Sequence, residues 1–162
     1  MIRDARASDA EALCAIYNPY VRDTFVTFEE VEVTTAEMAA RIADVTETFP
    51  WLVVEQGGEL MGYAYAKPFG ARAAYRSAAE SAIYMRMDAI GRGHGRALYG
   101  ALLTRLRERG LHTVVGVVSL PNPASVALHE ACGFKKVGHL SEIGLKRGRR
   151  LDLGYWQCWL GS

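Results

Sequence analysis

The stretch Gly91-Arg92-Gly93-His94-Gly95-Arg96-Ala97-Leu98 constrains this chain more than any other. Ahead of it, Ser81 to Met87 has strand character. Behind it, Ala97, Leu98, Ala101, Leu102 and Leu106 recur at three- and four-residue steps, the period of a helix. The glycines therefore occupy a turn between a strand and the first turn of a helix. Without Cβ atoms, such a turn lets a ligand approach the backbone closely. The free N–H groups and the dipole of a helix start favour an anion, and Arg92 and Arg96 add positive charge. The pattern predicts a phosphate or pyrophosphate site, with a ligand-free tight turn as the alternative. It is not a P-loop, because no Gly-Lys-Ser/Thr follows. It is not the dinucleotide fingerprint either, because Arg96 stands where a third glycine is needed and the strand comes halfway along the chain.

Length and composition bound the rest. The 162 residues predict one domain, residues 1–162, large enough for a real core. Half of them are apolar and 23% are charged, so the chain reads as globular. A net charge of +1 gives no case for nucleic acid as a partner. Cys14, Cys132 and Cys158 are odd in number and far apart, and the four histidines show no ligand spacing, so neither a disulfide framework nor a metal site is expected. No apolar run is long enough to cross a bilayer and no signal region opens the chain, so a cytoplasmic protein without membrane contact is expected.

Along the chain, Ile2 to Ala5 reads as a first strand. Ser8-Asp9-Ala10-Glu11 reads as a capping box opening a first helix that Asn18-Pro19 should end. Phe25 and Phe28 lie in an aperiodic loop, which is either a clamp on the core or a lid on a site. Thr34-Thr35-Ala36-Glu37 is a second capping box, opening a helix through Val45. Trp51–Glu55 and Glu59–Ala66 form a hairpin across Gln56-Gly57-Gly58. Lys67 to Ser77 is a basic loop, and Ala78 to Met87 is the strand that leads into the glycine turn. The third helix stops at Gly110, and His112 to Ser119 is a strand. Asn122-Pro123 then starts a fourth helix, with Asn as N-cap and Pro at its first position. Phe134 to Leu140 is a strand, Ile143 to Arg150 a basic loop, and Leu151 to Leu160 a last strand. The order β-α-α-β-β-β-α-β-α-β-β argues an α/β (α+β) domain with helices covering a mostly antiparallel sheet. A right-handed crossover through the third helix would make the strands on either side of it parallel neighbours.

These elements, together with Asn122-Pro123-Ala124-Ser125 and His129-Glu130-Ala131-Cys132-Gly133-Phe134, resemble the GCN5-related N-acetyltransferase (GNAT) superfamily over nearly the whole chain. Within it, the sequence is similar to the phosphinothricin / methionine sulfoximine acetyltransferases. That likeness is carried by Ile16-Tyr17-Asn18-Pro19-Tyr20-Val21, Thr27-Phe28-Glu29, Gly62 to Ala66, Tyr75-Arg76, Glu80 to Met85 and Gly144-x-Lys146-x-Gly148-x-x-Leu151-Asp152-Leu153. The resemblance implies the GNAT fold, acetyl-CoA as donor, a small free amine as acceptor, direct attack in a ternary complex, and a homodimer.

It also implies roles. Glu80 is the candidate general base, against a surface carboxylate or an ion pair with Arg76. Ile83, Tyr84 and Met85 would line the thioester and pantetheine, with a strand N–H near Met85 for the oxyanion if the strand splays. Gly91, Arg92, Gly93, His94, Gly95 and Arg96 would hold the pyrophosphate, and Asn122 would bond the donor. His129 stands where many relatives place a tyrosine acid, and reads equally as a catalytic or a packed histidine. Phe28, Ala73, Ala74, Tyr75, Arg76 and Lys146 are the acceptor candidates, although each basic residue taken alone reads as a solvated loop charge. Three positions depart from the pattern. Ile90 replaces the usual Arg or Gln, Ser81 stands where relatives often carry His, and Arg150 replaces the common Trp. Other amines, such as a polyamine or a protein N-terminus, and a non-catalytic acyl-CoA sensor are the competing functions.

Overall fold

The structure is a computed structural model that describes residues 1–161. Seven strands form one sheet in the order β1-β2-β3-β4-β5-β7-β6. They are β1 Ile2–Asp4, β2 Trp51–Gln56, β3 Glu59–Pro68, β4 Ala78–Met85, β5 Thr113–Leu120, β6 Lys135–Lys146 and β7 Arg149–Trp159. The helices are α1 Ala10–Asp23, α2 Thr35–Thr46, α3 His94–Glu108 and α4 Pro123–Ala131. Every neighbouring pair is antiparallel except β4 and β5, which run parallel on either side of α3. That is the arrangement the crossover rule predicts.

Alternation along the central strands feeds two cores, one on each face. Ala79, Met85, Val114, Val118 and Trp156 pack against Leu98, Tyr99, Leu102 and Leu106 of α3. On the other face Trp51, Val53 and Tyr63 pack against Leu13, Ile16 and Tyr17 of α1 and Met38 and Ile42 of α2. Aromatic rings dominate this second core. Trp51 stacks on Tyr65 at 4.2 Å, and Tyr84 meets Tyr17 edge-on at 4.8 Å.

Three expectations from the sequence are corrected. First, α1 does not stop at Asn18-Pro19 but runs to Asp23 with Pro19 inside it. An interior proline costs roughly 3 kcal/mol. Beyond it, however, Tyr20 and Val21 are buried, each worth roughly 1.5–3 kcal/mol, so the helix gains by continuing. The Asn18 amide donates to Val33 O and its oxygen accepts from Val33 N, which ties α1 to the segment ahead of α2. Second, Ser8 does not cap α1. The residue that organises this start is Asp9, which accepts from the Arg6 N–H at 2.7 Å and from both Arg3 guanidinium nitrogens at 2.9 Å. Third, Ile143 to Arg150 is not a loop. β6 continues to Lys146, and β7 begins at Arg149 after the turn Arg147-Gly148. Both turn residues have positive φ (47° and 75°), the geometry of the tightest hairpins. Arginine is tolerated there because its guanidinium donates to Thr24 O and Arg22 O and lies 4.7 Å from the centre of the Phe25 ring.

β6 is an edge strand, and Val137, Leu140, Ile143 and Leu145 along it are exposed. Among the described residues, no helix is long and apolar enough to cross a membrane, and no group of three or more His, Cys, Asp or Glu could hold a metal ion.

The capping box at Thr34 is present, with Thr34 Oγ1 accepting from Glu37 N and Glu37 accepting from Thr34 N. Thr34→Ala is expected to lower stability by about 1 kcal/mol, read as a lower urea midpoint at unchanged slope. An unchanged midpoint would show that α2 is held by its packing alone.

Candidate active site

The site begins where β4 and β5 part. They pair only from Ala78–Thr113 to Ser81–Gly116. Beyond that, β4 continues to Met85 and β5 to Leu120 without bonding to each other. The Arg86 N–H donates to Met61 O, so alternate residues of β4 turn their backbone groups to β3. Ile83 and Met85 therefore turn theirs into the gap. The Met85 carbonyl is taken up by the hydroxyl of Tyr20 at 2.5 Å, reaching in from α1. This contact was not foreseen from the sequence. Its traces in the sequence are the placing of Tyr20 four residues after Ile16 on the buried stripe of α1 and its position in the stretch Ile16 to Val21 that carries the family likeness.

The gap opens into a cavity of about 490 Å³, within the usual range for small-molecule sites. Of the residues expected to bind the donor, Ile83, Tyr84, Met85, Gly91, Gly93, Gly95, Arg96 and Asn122 line it together, joined by Tyr20, Val26, Ile90 and Ser125. Arg92 and His94 are not part of the lining. Gly91 and Gly93 have φ of 83° and 86°, so they are glycines for the turn itself. Nothing lies within 4 Å of where their Cβ atoms would stand. Gly95 differs, since it sits in the first turn of α3 and a Cβ there would meet Leu128 and Met85 at 3.5 and 3.6 Å, ordinary contact distances. The first backbone bond of α3 runs from Ala97 N to Gly93 O. The amides of His94, Gly95 and Arg96 are thus left without helical partners. They supply what an anionic pyrophosphate needs.

A second, smaller space of about 50 Å³ shares Val26, Ile83, Tyr84, Asn122 and Ser125 with the first and reaches toward Ser81, Ser119 and His129 at the apex of the gap. His129 is only 4% exposed. Its Nδ1 lies 2.7 Å from Ser125 O and its Nε2 lies 3.0 Å from the Tyr99 hydroxyl. Burial lowers its pKa.

The acceptor candidates divide. Phe28 and Lys146 meet at one end of the sheet, where the 24–29 loop crosses β6. The Phe28 ring lies over Gly144, where a Cβ would come within 2.6 Å of it. Lys146 is 1% exposed and its Nζ donates to Thr27 O at 2.8 Å, so its ammonium is a strut under this loop and not a solvated loop charge. Burial also pulls the Lys146 pKa down. Ser119 Oγ donates to Phe25 O at 2.7 Å, and the Phe25 ring lies under the guanidiniums of Arg147 and Arg149. The loop is thus a clamp, with Val26 facing the cavity. Ala73, Ala74, Tyr75 and Arg76 lie at the opposite end of the sheet, in an exposed turn between β3 and β4 where Tyr75 packs edge-on against Phe69. Glu80 is near that end. Its ion-pair partner is Lys67 at 3.0 Å, while Arg76 donates to Ala73 O within its own turn.

Residues 2–154 match the acetyltransferase (GNAT) domain family. The chain belongs to the GNAT acetyltransferases. Over 156 residues it is 39% identical to the phosphinothricin N-acetyltransferase of Streptomyces viridochromogenes, covering 96% of this chain and 85% of that protein. It is 36% identical to the L-methionine sulfoximine/L-methionine sulfone acetyltransferase of Pseudomonas paraeruginosa, covering 96% and 92%. The crystal structure of a GNAT superfamily phosphinothricin acetyltransferase from Sinorhizobium meliloti in complex with acetyl-CoA superposes with a TM-score of 0.94 at 37% identity, covering 99% of this chain and 88% of that one. The GNAT fold that the resemblance implied is the fold observed.

The two kinds of glycine in this acetyltransferase are separable. Gly93→Ala forces a side chain into the left-handed region and is expected to destabilise by about 1–2 kcal/mol in urea unfolding. Gly95→Ala should leave stability unchanged or raise it by up to about 1 kcal/mol. Equal losses from both would contradict the assignment.

Proposed function

We propose that this chain transfers the acetyl group of acetyl-CoA to the α-amine of a small amino-acid-like acceptor of the phosphinothricin, methionine sulfoximine or methionine sulfone type. The amine attacks directly in a ternary complex. The observation that carries this reading is the β4–β5 gap, which runs from the unpaired amides of the glycine turn to the inward-facing backbone of Ile83 and Met85. The curated relatives supply the acceptor class, and the complexed relative supplies the donor.

In this reading the pyrophosphate rests on the amides of residues 91–96, pantetheine lies along Ile83 to Met85, and Asn122 bonds it from the start of α4. The Ile83 and Met85 N–H groups are the donors available to the oxyanion. Glu80, paired with Lys67, draws the proton from the incoming ammonium through water. The departing thiolate needs little assistance. A thiol pKa of about 8.5 leaves a deficit of ~2 kcal/mol at neutral pH, which solvent protonation at the cavity mouth makes good. Phe28 forms one wall of the acceptor side, and Lys146 sets that wall from beneath. A homodimer is part of the proposal. The exposed apolar residues of the β6 edge need cover, and Tyr75-Arg76 and Phe28 stand at opposite ends of one copy, so a second copy is what would bring them to one acceptor.

The first test is CoA release with a thiol reagent, using phosphinothricin, methionine sulfoximine, methionine sulfone, methionine, spermidine and a short peptide as acceptors. Turnover on the first three is expected. Preference for the peptide or spermidine would overturn the acceptor, and acetyl-CoA binding without turnover on any amine would favour a sensor. Gly95→Ala should weaken acetyl-CoA binding at unchanged stability, since its methyl group enters the cradle. Glu80→Gln should keep donor affinity and lose most of kcat at neutral pH; wild-type rates in that variant would remove the base. Sedimentation at twice 17.8 kDa is the expected mass.

A further inference from the structure

At the apex of the β4–β5 gap a buried chain of polar groups links three elements. It runs from Ser81 Oγ on β4 to the Tyr99 hydroxyl on α3 (2.6 Å), on to His129 Nε2 (3.0 Å), and from His129 Nδ1 to Ser125 O on α4 (2.7 Å). Nδ1 also lies 3.3 Å from Ser125 Oγ, but the carbonyl is much the nearer partner and can only accept, so Nδ1 carries the imidazole hydrogen. In the neutral ring Nε2 is then a lone pair, and Tyr99 must donate to it. The Tyr99 oxygen in turn receives the Ser81 hydroxyl. One carbonyl thus decides the position of every proton in the chain.

The ring has no freedom to turn out of this arrangement. A Cβ on Gly116 of β5 would lie 2.6 Å from both His129 Cδ2 and Nε2, so the imidazole is pressed onto bare backbone. Phe134 and Tyr99 meet it edge-on, each at 5.1 Å between ring centres. The groups packed on it are Tyr99 from α3, Gly116 from β5, Ser125 from α4 and Phe134 from beyond α4, and none is charged. The titratable neighbours of Tyr99, the thiols of Cys132 and Cys158, are kept protonated by burial.

We infer that Tyr99 is a positioning residue that holds His129 as a neutral Nδ1–H imidazole, so that His129 braces the apex of the gap and is not the acid for the departing thiolate. The inference deepens the acetyl-transfer reading and rests on it. An acid at this place would need a hydrogen on Nε2 directed at the sulfur. Here Nε2 is a filled acceptor directed at Tyr99, on a ring for which burial disfavours a second proton. The brace joins Ser81 and Gly116, the last paired residues of β4 and β5, to the helix that carries Asn122 and Ser125 on the cavity wall. Its service to catalysis is the spacing of the two strands.

The test is a pH titration of the full chain, labelled with ring-15N histidine and followed by NMR, beside the pH profile of kcat. The wild-type His129 should show the Nδ1–H tautomer and no protonation across about pH 6 to 9. In Tyr99→Phe the lone pair loses its donor and the neutral ring its stabilisation. Protonation of His129 should then enter that range, and kcat should fall roughly tenfold, the rate equivalent of about one hydrogen bond. Two results would overturn the inference: an Nε2–H tautomer in the wild type, or a His129 midpoint that coincides with a limb of the wild-type kcat profile and persists in Tyr99→Phe. If Tyr99→Phe does not fold, the wild-type tautomer decides alone. Failure of the acetyl-transfer reading is distinguishable, since it appears as acetyl-CoA bound without CoA release from any amine, whatever the tautomer.

Discussion

Four residue pairs hold β4 to β5, and then the strands part. Much of the active-site architecture follows from that short ladder. Parallel strands that separate leave backbone N–H and C=O groups facing each other across a space too wide to bond, and such groups must find other partners. Tyr20 takes one of them, the Met85 carbonyl. The remaining groups of Ile83 and Met85 are available to a ligand, and the cavity extends from them to the start of α3. A sheet that stayed paired to Leu120 would keep the same core and have no site.

The opening has to be held without being filled, and three different chemistries share that task. At the apex the hydroxyl–imidazole chain sits between strands and helix. On one flank the 24–29 loop is pinned from below by Lys146, from the side by Ser119, and from outside by the guanidiniums of Arg147 and Arg149 over Phe25. Farther along the same loop Glu29 is bound in a bidentate pair by Arg41, whose guanidinium holds its carboxyl below the usual range. The buried phenols around Tyr84 complete the face. Burial pushes Tyr17, Tyr20, Tyr63 and Tyr84 upward, so this wall stays uncharged at any working pH.

The strand, glycine turn and helix start that line the cavity were legible in the sequence because their signals are local. A strand, a glycine turn and a helix start lie within twenty residues, and Asn122-Pro123 announces its own helix by capping chemistry. The parallel pairing of β4 and β5 followed from the handedness of one crossover. Two of the three failures share a cause, which is long-range packing overriding a local signal, while at the start of α1 Asp9 took the place expected of Ser8 through near neighbours. Pro19 is a helix breaker only if nothing beyond it is worth burying, and Tyr20 and Val21 are. Residues 143–150 look like a basic loop because Lys146, Arg147 and Arg149 are charged. Their partners, Thr27, Thr24, Arg22 and Phe25, lie more than a hundred residues earlier, and no window along the chain displays them. The same holds for His129, whose motif is visible but whose Nε2 partner, Tyr99, lies thirty residues away.

The division of labour along the chain has an evolutionary consequence. The walls of the cavity to which the proposal assigns acetyl-CoA come almost entirely from one continuous stretch, Ile83 to His129. The surfaces that the proposal leaves for the amine come from elsewhere: the 24–29 loop, the 69–77 turn, and the β6–β7 hairpin. Drift in those outer segments can change which amine is accepted while the inherited donor machinery stays intact. A fold wired in this way is suited to lineages that diversify by acceptor, with one ancestral pocket serving many descendants.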